Sequence, residues 1–117
     1  MEREERDSAY LWDMREAARD VMEFVRGVTY SSFSEDKALR YAVERRLEVL
    51  GEAAGRVSES WKGAHPGIPW HQIAGLRDIL TYGSGELPVD RLWIVANESV
   101  PMLVEWLNGL VPVIEPE

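Results

Sequence analysis

The chain has 117 residues, 45% of them hydrophobic, and carries a net charge of −8. That length makes one domain, residues 1–117, with surface enough to bury a core without staples. The absence of cysteine excludes a disulfide framework and any thiolate metal site. The acidic charge excludes broad, non-specific nucleic-acid binding, which needs a basic surface, but leaves room for one small basic cleft.

No apolar run approaches the roughly 18 residues of a membrane span. The start, Met1-Glu2-Arg3-Glu4-Glu5, is charged and unlike a signal peptide. A cytoplasmic protein is expected, with residues 1–7 and the tail 111–117 flexible. From Ser8 to Val28 the apolar residues Leu11, Met14, Ala18, Val21, Val25 and Val28 alternate at three- and four-residue steps. This predicts a helix with one narrow apolar seam, ending near Gly27. The seam suits packing on other helices of a bundle or on a partner subunit. Thr29-Tyr30-Ser31-Ser32-Phe33-Ser34 breaks the pattern, and Ser34 before Glu35 and Asp36 reads as an N-cap. A second helix is expected from about 35 to 61, with Leu39, Val43, Leu47, Leu50, Ala54, Val57 and Trp61 as its stripe. Gly51 and Gly55 within it suggest a close helix–helix approach or simple tolerance.

Residues 62–69 form a loop rich in glycine and proline, with Pro69 placed for the first turn of the next helix. That helix is short, Trp70 to about Tyr82, with Ile73, Leu76, Ile79 and Leu80 on its buried face. A glycine turn follows at 83–88. A last helix spans about 89 to 110, striped by Leu92, Ala96, Val100, Leu103, Leu107 and Leu110. Pro101 must kink or restart it, because proline lacks the amide and clashes with the preceding turn. No alternating strand pattern appears. The expected fold class is all-α, an antiparallel bundle of four to five helices.

Chemistry is suggested by one segment, Arg77-Asp78-Ile79-Leu80-Thr81-Tyr82-Gly83-Ser84. Arg77 lies near the apolar side of a short helix, just before a glycine turn. A guanidinium there wants a bidentate anion, either a carboxylate of the protein or a phosphate. Asp78 can orient a neighbouring polar group or be a solvated helix acid. Tyr82 can donate to a phosphate oxygen or simply pack. Ser84 offers a hydroxyl in a turn. The Gly83–Gly85 pair is too short, and too poor in lysine, for a P-loop. His65 and His71 read as surface or helix-start residues.

These blocks resemble the HepT-like proteins of the HEPN group, small helical ribonucleases and nucleotide-binding domains. The matching stretches are 45–54, 65–70 and 73–80, followed by Asp90 and Trp93 after the glycine turn. They run in order over nearly the whole chain, from about Ala9 to Leu110. The resemblance implies a helical homodimer with an RNA-cleaving cleft at its interface, needing no metal and no cofactor. It also implies a toxin-type role beside a minimal nucleotidyltransferase antitoxin, with RNA as substrate and neither DNA nor membrane as partner. By position, Arg77 takes the place of the arginine that holds the scissile phosphate. Asp78 takes that of the polar residue that orients a histidine. The histidine's own place falls on Tyr82, and that of the AMP-accepting tyrosine on Ser84. A phenol titrating near ~10 is a poor base at neutral pH, where histidine works well. Three readings follow: an active ribonuclease, a degenerate member that acts by binding, and a plain helical interaction module.

Overall fold

The computed structural model describes residues 3–82 and 88–110, with side chains at 6–76 and 88–110. The tail 111–117 and Ser84 lie outside the described residues. Every described element is a helix, and the chain is an all-α bundle. No described helix is long and apolar enough to cross a membrane.

Helix α1 spans Arg3–Val25, and its seam is buried as the spacing predicts, with Leu11, Met14, Ala18, Val21 and Val25 at 6% exposure or less. It begins at Arg3, within the charged N-terminal stretch. Asp7 explains this. Its carboxylate is buried and accepts hydrogen bonds from the Ser58 amide at 2.8 Å and the Ser58 hydroxyl at 2.6 Å. Gly27, at φ +70°, then reverses the chain in the left-handed region that glycine enters at no steric cost.

The stretch read as a break is a short helix, α2, Tyr30–Glu35, capped by the Thr29 hydroxyl, which accepts from the Ser32 amide at 3.1 Å. The next cap is Asp36 rather than Ser34. Its carboxylate accepts from the Leu39 amide at 3.0 Å and opens α3, Lys37–Arg56. The expected helix from 35 to 61 is therefore divided. Val57 is extended, and Ser58 caps a separate helix α4, Glu59–Ala64. The stripe continued through Val57 and Trp61 because both still pack inward. Gly55 is exposed and a Cβ there would meet nothing within 4 Å, so it is tolerated rather than required.

Helix α5 spans Trp70–Tyr82, and the Pro69 carbonyl accepts its first bond, from the Ile73 amide at 3.1 Å. Helix α6, Val89–Ile94, passes through a π turn at Val95–Ser99 into α7, Val100–Asn108. Pro101 stands in the first turn of α7, where the α-helix resumes after the π turn, as a restart at the proline predicts. The Val100 amide reaches back five residues to the Val95 carbonyl. The wider turn makes room where the proline ring would meet the carbonyl four residues earlier. In the assembled bundle α1 and α3 pack on each other, α5 on α3, and α7 on α1.

Replacing Asp7 with alanine strands the Ser58 amide at a part-buried junction. The expected loss is about 1–3 kcal/mol, read by urea denaturation. An unchanged midpoint would remove the junction from the account of why α1 starts early.

Candidate active site

The candidate residues lie on α5, so the first question is what holds that helix. Its entry is a small aromatic latch. His65 stacks on Trp61, with centroids 3.7 Å apart, and its Nδ1 lies 3.0 Å from the Trp61 carbonyl. Trp70 meets Trp61 edge-on and donates its indole N–H to the His65 carbonyl at 3.0 Å. A loop of glycine and proline is thereby pinned at both of its sides. From there α5 must run back along α3, because α3 ends near the point where α5 begins. Leu47 and Leu50 of α3 line one cavity with Ile73 and Leu76 of α5.

That cavity is an open apolar groove of about 470 Å³ between α3, α5 and the π turn with α7. Its rim carries Ile94 and Met102, which are 49% and 53% exposed. Glu98, Ser99 and Gln72 are its polar edge. The sequence reading did not find this groove, although Pro101 marked the place where the helix wall had to change pitch.

Arg77, Asp78 and Tyr82 occupy the last two turns of α5. Arg77 follows Ile73 by one turn, and Tyr82 follows Asp78 by one turn. Their side chains, like all of Ser84, lie outside what is described. The antiparallel course of α5 carries this end toward the first half of α3.

The matching Asp90 and Trp93 sit on α6. Trp93 packs on the buried Phe33 of α2, with centroids 5.1 Å apart, and meets Tyr30 edge-on at 5.8 Å. Tyr30 is 45% exposed. Sequence reading passed over Tyr30 because six residues are too few to show a helical period. A smaller cleft between α1 and α3 holds Tyr10, Asp13 and the Glu52–Arg56 ion pair. Partial burial there raises the Asp13 carboxyl above its ordinary range.

A model of the family described as Ribonuclease HepT-like matches residues 14–109. A protein of Thermococcus cleftensis named "Probable ribonuclease HepT" is 37% identical over 103 residues, covering 88% of this chain and 92% of that one. One of Methanocaldococcus jannaschii named "Putative RNase MJ1380" is 37% identical over 95 residues, 81% of this chain and 87% of that one. No solved structure matches.

Trp70→Phe keeps the ring but removes the indole N–H from the His65 carbonyl. It should cost about 0.5–1.5 kcal/mol in thermal or urea melts. Hydrogen exchange should rise first in the opening turn of α5. Uniform exchange across the bundle would show that the latch does not fix that helix locally.

Proposed function

The chain belongs to the Ribonuclease HepT-like family, and we propose that it is the toxin-type subunit of a toxin–antitoxin pair, a homodimer directed at RNA whose own cleavage is slow. The observation that carries this reading is the family match over residues 14–109, which takes in Arg77 and Asp78 at the far end of α5. In cleavage by the ribose 2′-hydroxyl, the 2′-oxygen loses its proton and attacks phosphorus. The 5′-oxygen then leaves and takes a proton up. Arg77 stabilises the extra negative charge on the phosphate, as a fixed guanidinium does better than water. Asp78 orients the group at 82.

Tyr82 sets the rate. A phenol at its ordinary pKa of about 10 can donate a proton to the leaving oxygen but takes one poorly at neutral pH. Losing one half of the proton traffic is typically worth about 10²–10⁴-fold. The same substitution supports a second reading, a binding module that holds RNA or a nucleotide and cleaves nothing. In either case the expected partner is a minimal nucleotidyltransferase, with the hydroxyl of Tyr82 or Ser84 as the acceptor of AMP.

The groove supports the homodimer. An open apolar surface with Ile94 and Met102 on its rim is costly to leave in water. A second copy laid across it covers both residues and brings two α5 helices near one another.

Cleavage of a labelled RNA by protein purified without its partner is expected to be weak and lost in Arg77→Ala. Tyr82→His should raise it by about 10²–10⁴-fold, with a pH profile bending near ~6.5. Robust wild-type cleavage that Tyr82→His does not improve would falsify the slow-site reading. No wild-type cleavage, with binding that depends on Arg77, would select the binding module instead.

Met102→Glu places a charge in the groove's rim and should shift the protein from dimer to monomer at micromolar concentration in analytical ultracentrifugation. An unaltered dimer would move the interface elsewhere.

A further inference from the structure

Where α2 meets α3 and α6, an exposed tyrosine and a half-buried tryptophan share their helices with cations that pair with no carboxylate among the described residues. Tyr30 opens α2 and is 45% exposed. Trp93 stands beside it on α6, half-buried, with its other contact on Phe33. The buried Phe33 fixes Trp93, and Trp93 in turn fixes the orientation of Tyr30. The pair is thus a supported aromatic ledge rather than two loose rings.

Three cations lie on α3 and α6, the helices that pack on α2. Lys37 opens α3 with its Nζ 5.7 Å from the centre of the Tyr41 ring. Arg40 donates from Nη1 to the Ser34 carbonyl at 2.6 Å and the Phe33 carbonyl at 3.3 Å. That clamps the end of α2 and leaves further N–H donors of the guanidinium unused in those bonds. Arg91 is exposed on α6, two residues before Trp93. None of the three is in an ion pair with a carboxylate among the described residues. Every other cation with a described side chain, except Arg6, is so paired. The neighbouring acids are Glu35, Asp36 and Asp90, and Asp36 is engaged in capping α3. In a chain of net charge −8, cations without a carboxylate partner on the helices that flank an exposed ring suit the uptake of a single strand. The rings stack bases, which all have a π-face, and the cations meet the phosphates between them.

We propose that Tyr30 and Trp93 form a stacking site for an unpaired base of an RNA strand, with Lys37, Arg40 and Arg91 on its flanking phosphates. This rests on the reading of the protein as RNA-directed and adds to it the place where the strand is held. The chain itself limits how far the site can lie from the end of α5. From Tyr82 to Val89 is seven residue steps, a reach of at most about 25 Å.

Binding is measured with the full chain and a fluorescein-labelled, fully 2′-O-methylated single-stranded oligonucleotide, which cannot be cleaved because it lacks the attacking hydroxyl. Tyr30→Ala should weaken binding by about 5-fold or more, while Tyr30→Phe keeps the ring and the affinity. An oligonucleotide with a single abasic position, moved along the strand, should show a loss of the same size at one position. Lys37→Gln and Arg91→Gln should each reduce the slope of log K against log salt by about 0.7. Tyr30 is exposed, so its variants are expected to melt like the wild type. If the wild type binds and Tyr30→Ala binds equally well, the stacking site is overturned and the RNA reading stands. If the wild type does not bind the oligonucleotide at all, the RNA reading itself is overturned, and this site with it.

Discussion

The packing of α1 on α3 is the constraint on which the rest of the molecule depends. Both helices run about 20 residues, and their apolar faces are fully enclosed. Leu11, Met14, Ala18 and Val21 come from one, Val43, Leu47, Leu50 and Ala54 from the other. Burying a leucine-sized side chain is worth about 1.5–3 kcal/mol, so this seam is the largest apolar term in a small domain. Small residues at Ala17, Ala18, Ala53 and Ala54 allow the two helices to approach closely. The two ends of the pair are then sealed by polar contacts that suit no other register. Asp7 of α1 holds Ser58 just past α3, and Asp20 meets Arg46 at 3.6 Å farther along. Neither contact contributes much alone. Together they fix which turn of α1 faces which turn of α3.

Everything proposed for function lies on elements that lean on this pair. Helix α5 has no long apolar face of its own, and it takes its position from α3 and from the Trp61–His65–Trp70 latch. Helices α6 and α7 form one rod through a π turn, and that turn shapes one wall of the apolar groove. The same rod carries Trp93 to α2 at its other end. One continuous helix thus links the groove to the aromatic ledge. A change of pitch at Val95–Ser99 rotates the residues before it relative to those after it, so Pro101 influences both surfaces at once.

Long periodic stretches were legible in the sequence because a buried seam leaves a regular mark. The α1 seam, the α3 stripe and the bounds of α5 follow directly from spacing. What escaped were features that periodicity does not encode. Helix α2 is too short to show a period, and Thr29 was read as part of a break although it is a capping residue by type. The division at Val57 was hidden because the apolar stripe runs through it, while its cause, a carboxylate at position 7, lies 51 residues away in sequence. Arg15 is a similar case. It falls within the α1 seam and is buried beneath no obvious sequence signal, with its guanidinium 4.7 Å from the Trp12 ring and Nε 3.3 Å from Glu16. Long-range polar pairing of this kind has no local signature. Of the candidate site, the helix and its register were legible, whereas the groove and the exposed Tyr30 were not, since both arise from how separate helices meet.

Among the described side chains, α5 is held by residues that precede those at which chemistry is expected. Ile73, Leu76 and Trp70 anchor its first half, while Arg77, Asp78 and Tyr82 occupy the second. Fold and reaction are therefore free to diverge in this molecule. The family resemblance rests on the bundle as a whole and does not by itself fix the reaction. The strand binding proposed above draws on α2, α3 and α6 rather than on the group at 82. The unpaired cations at that end follow the same logic. Elsewhere among the described side chains every lysine and arginine but Arg6 pairs with an acid, as solubility and helix stability favour. Lys37, Arg40 and Arg91 have no carboxylate partner among the described residues, and Arg40 instead holds the end of α2 through the Ser34 and Phe33 carbonyls, which leaves charge at that end for the anion of the strand proposed above.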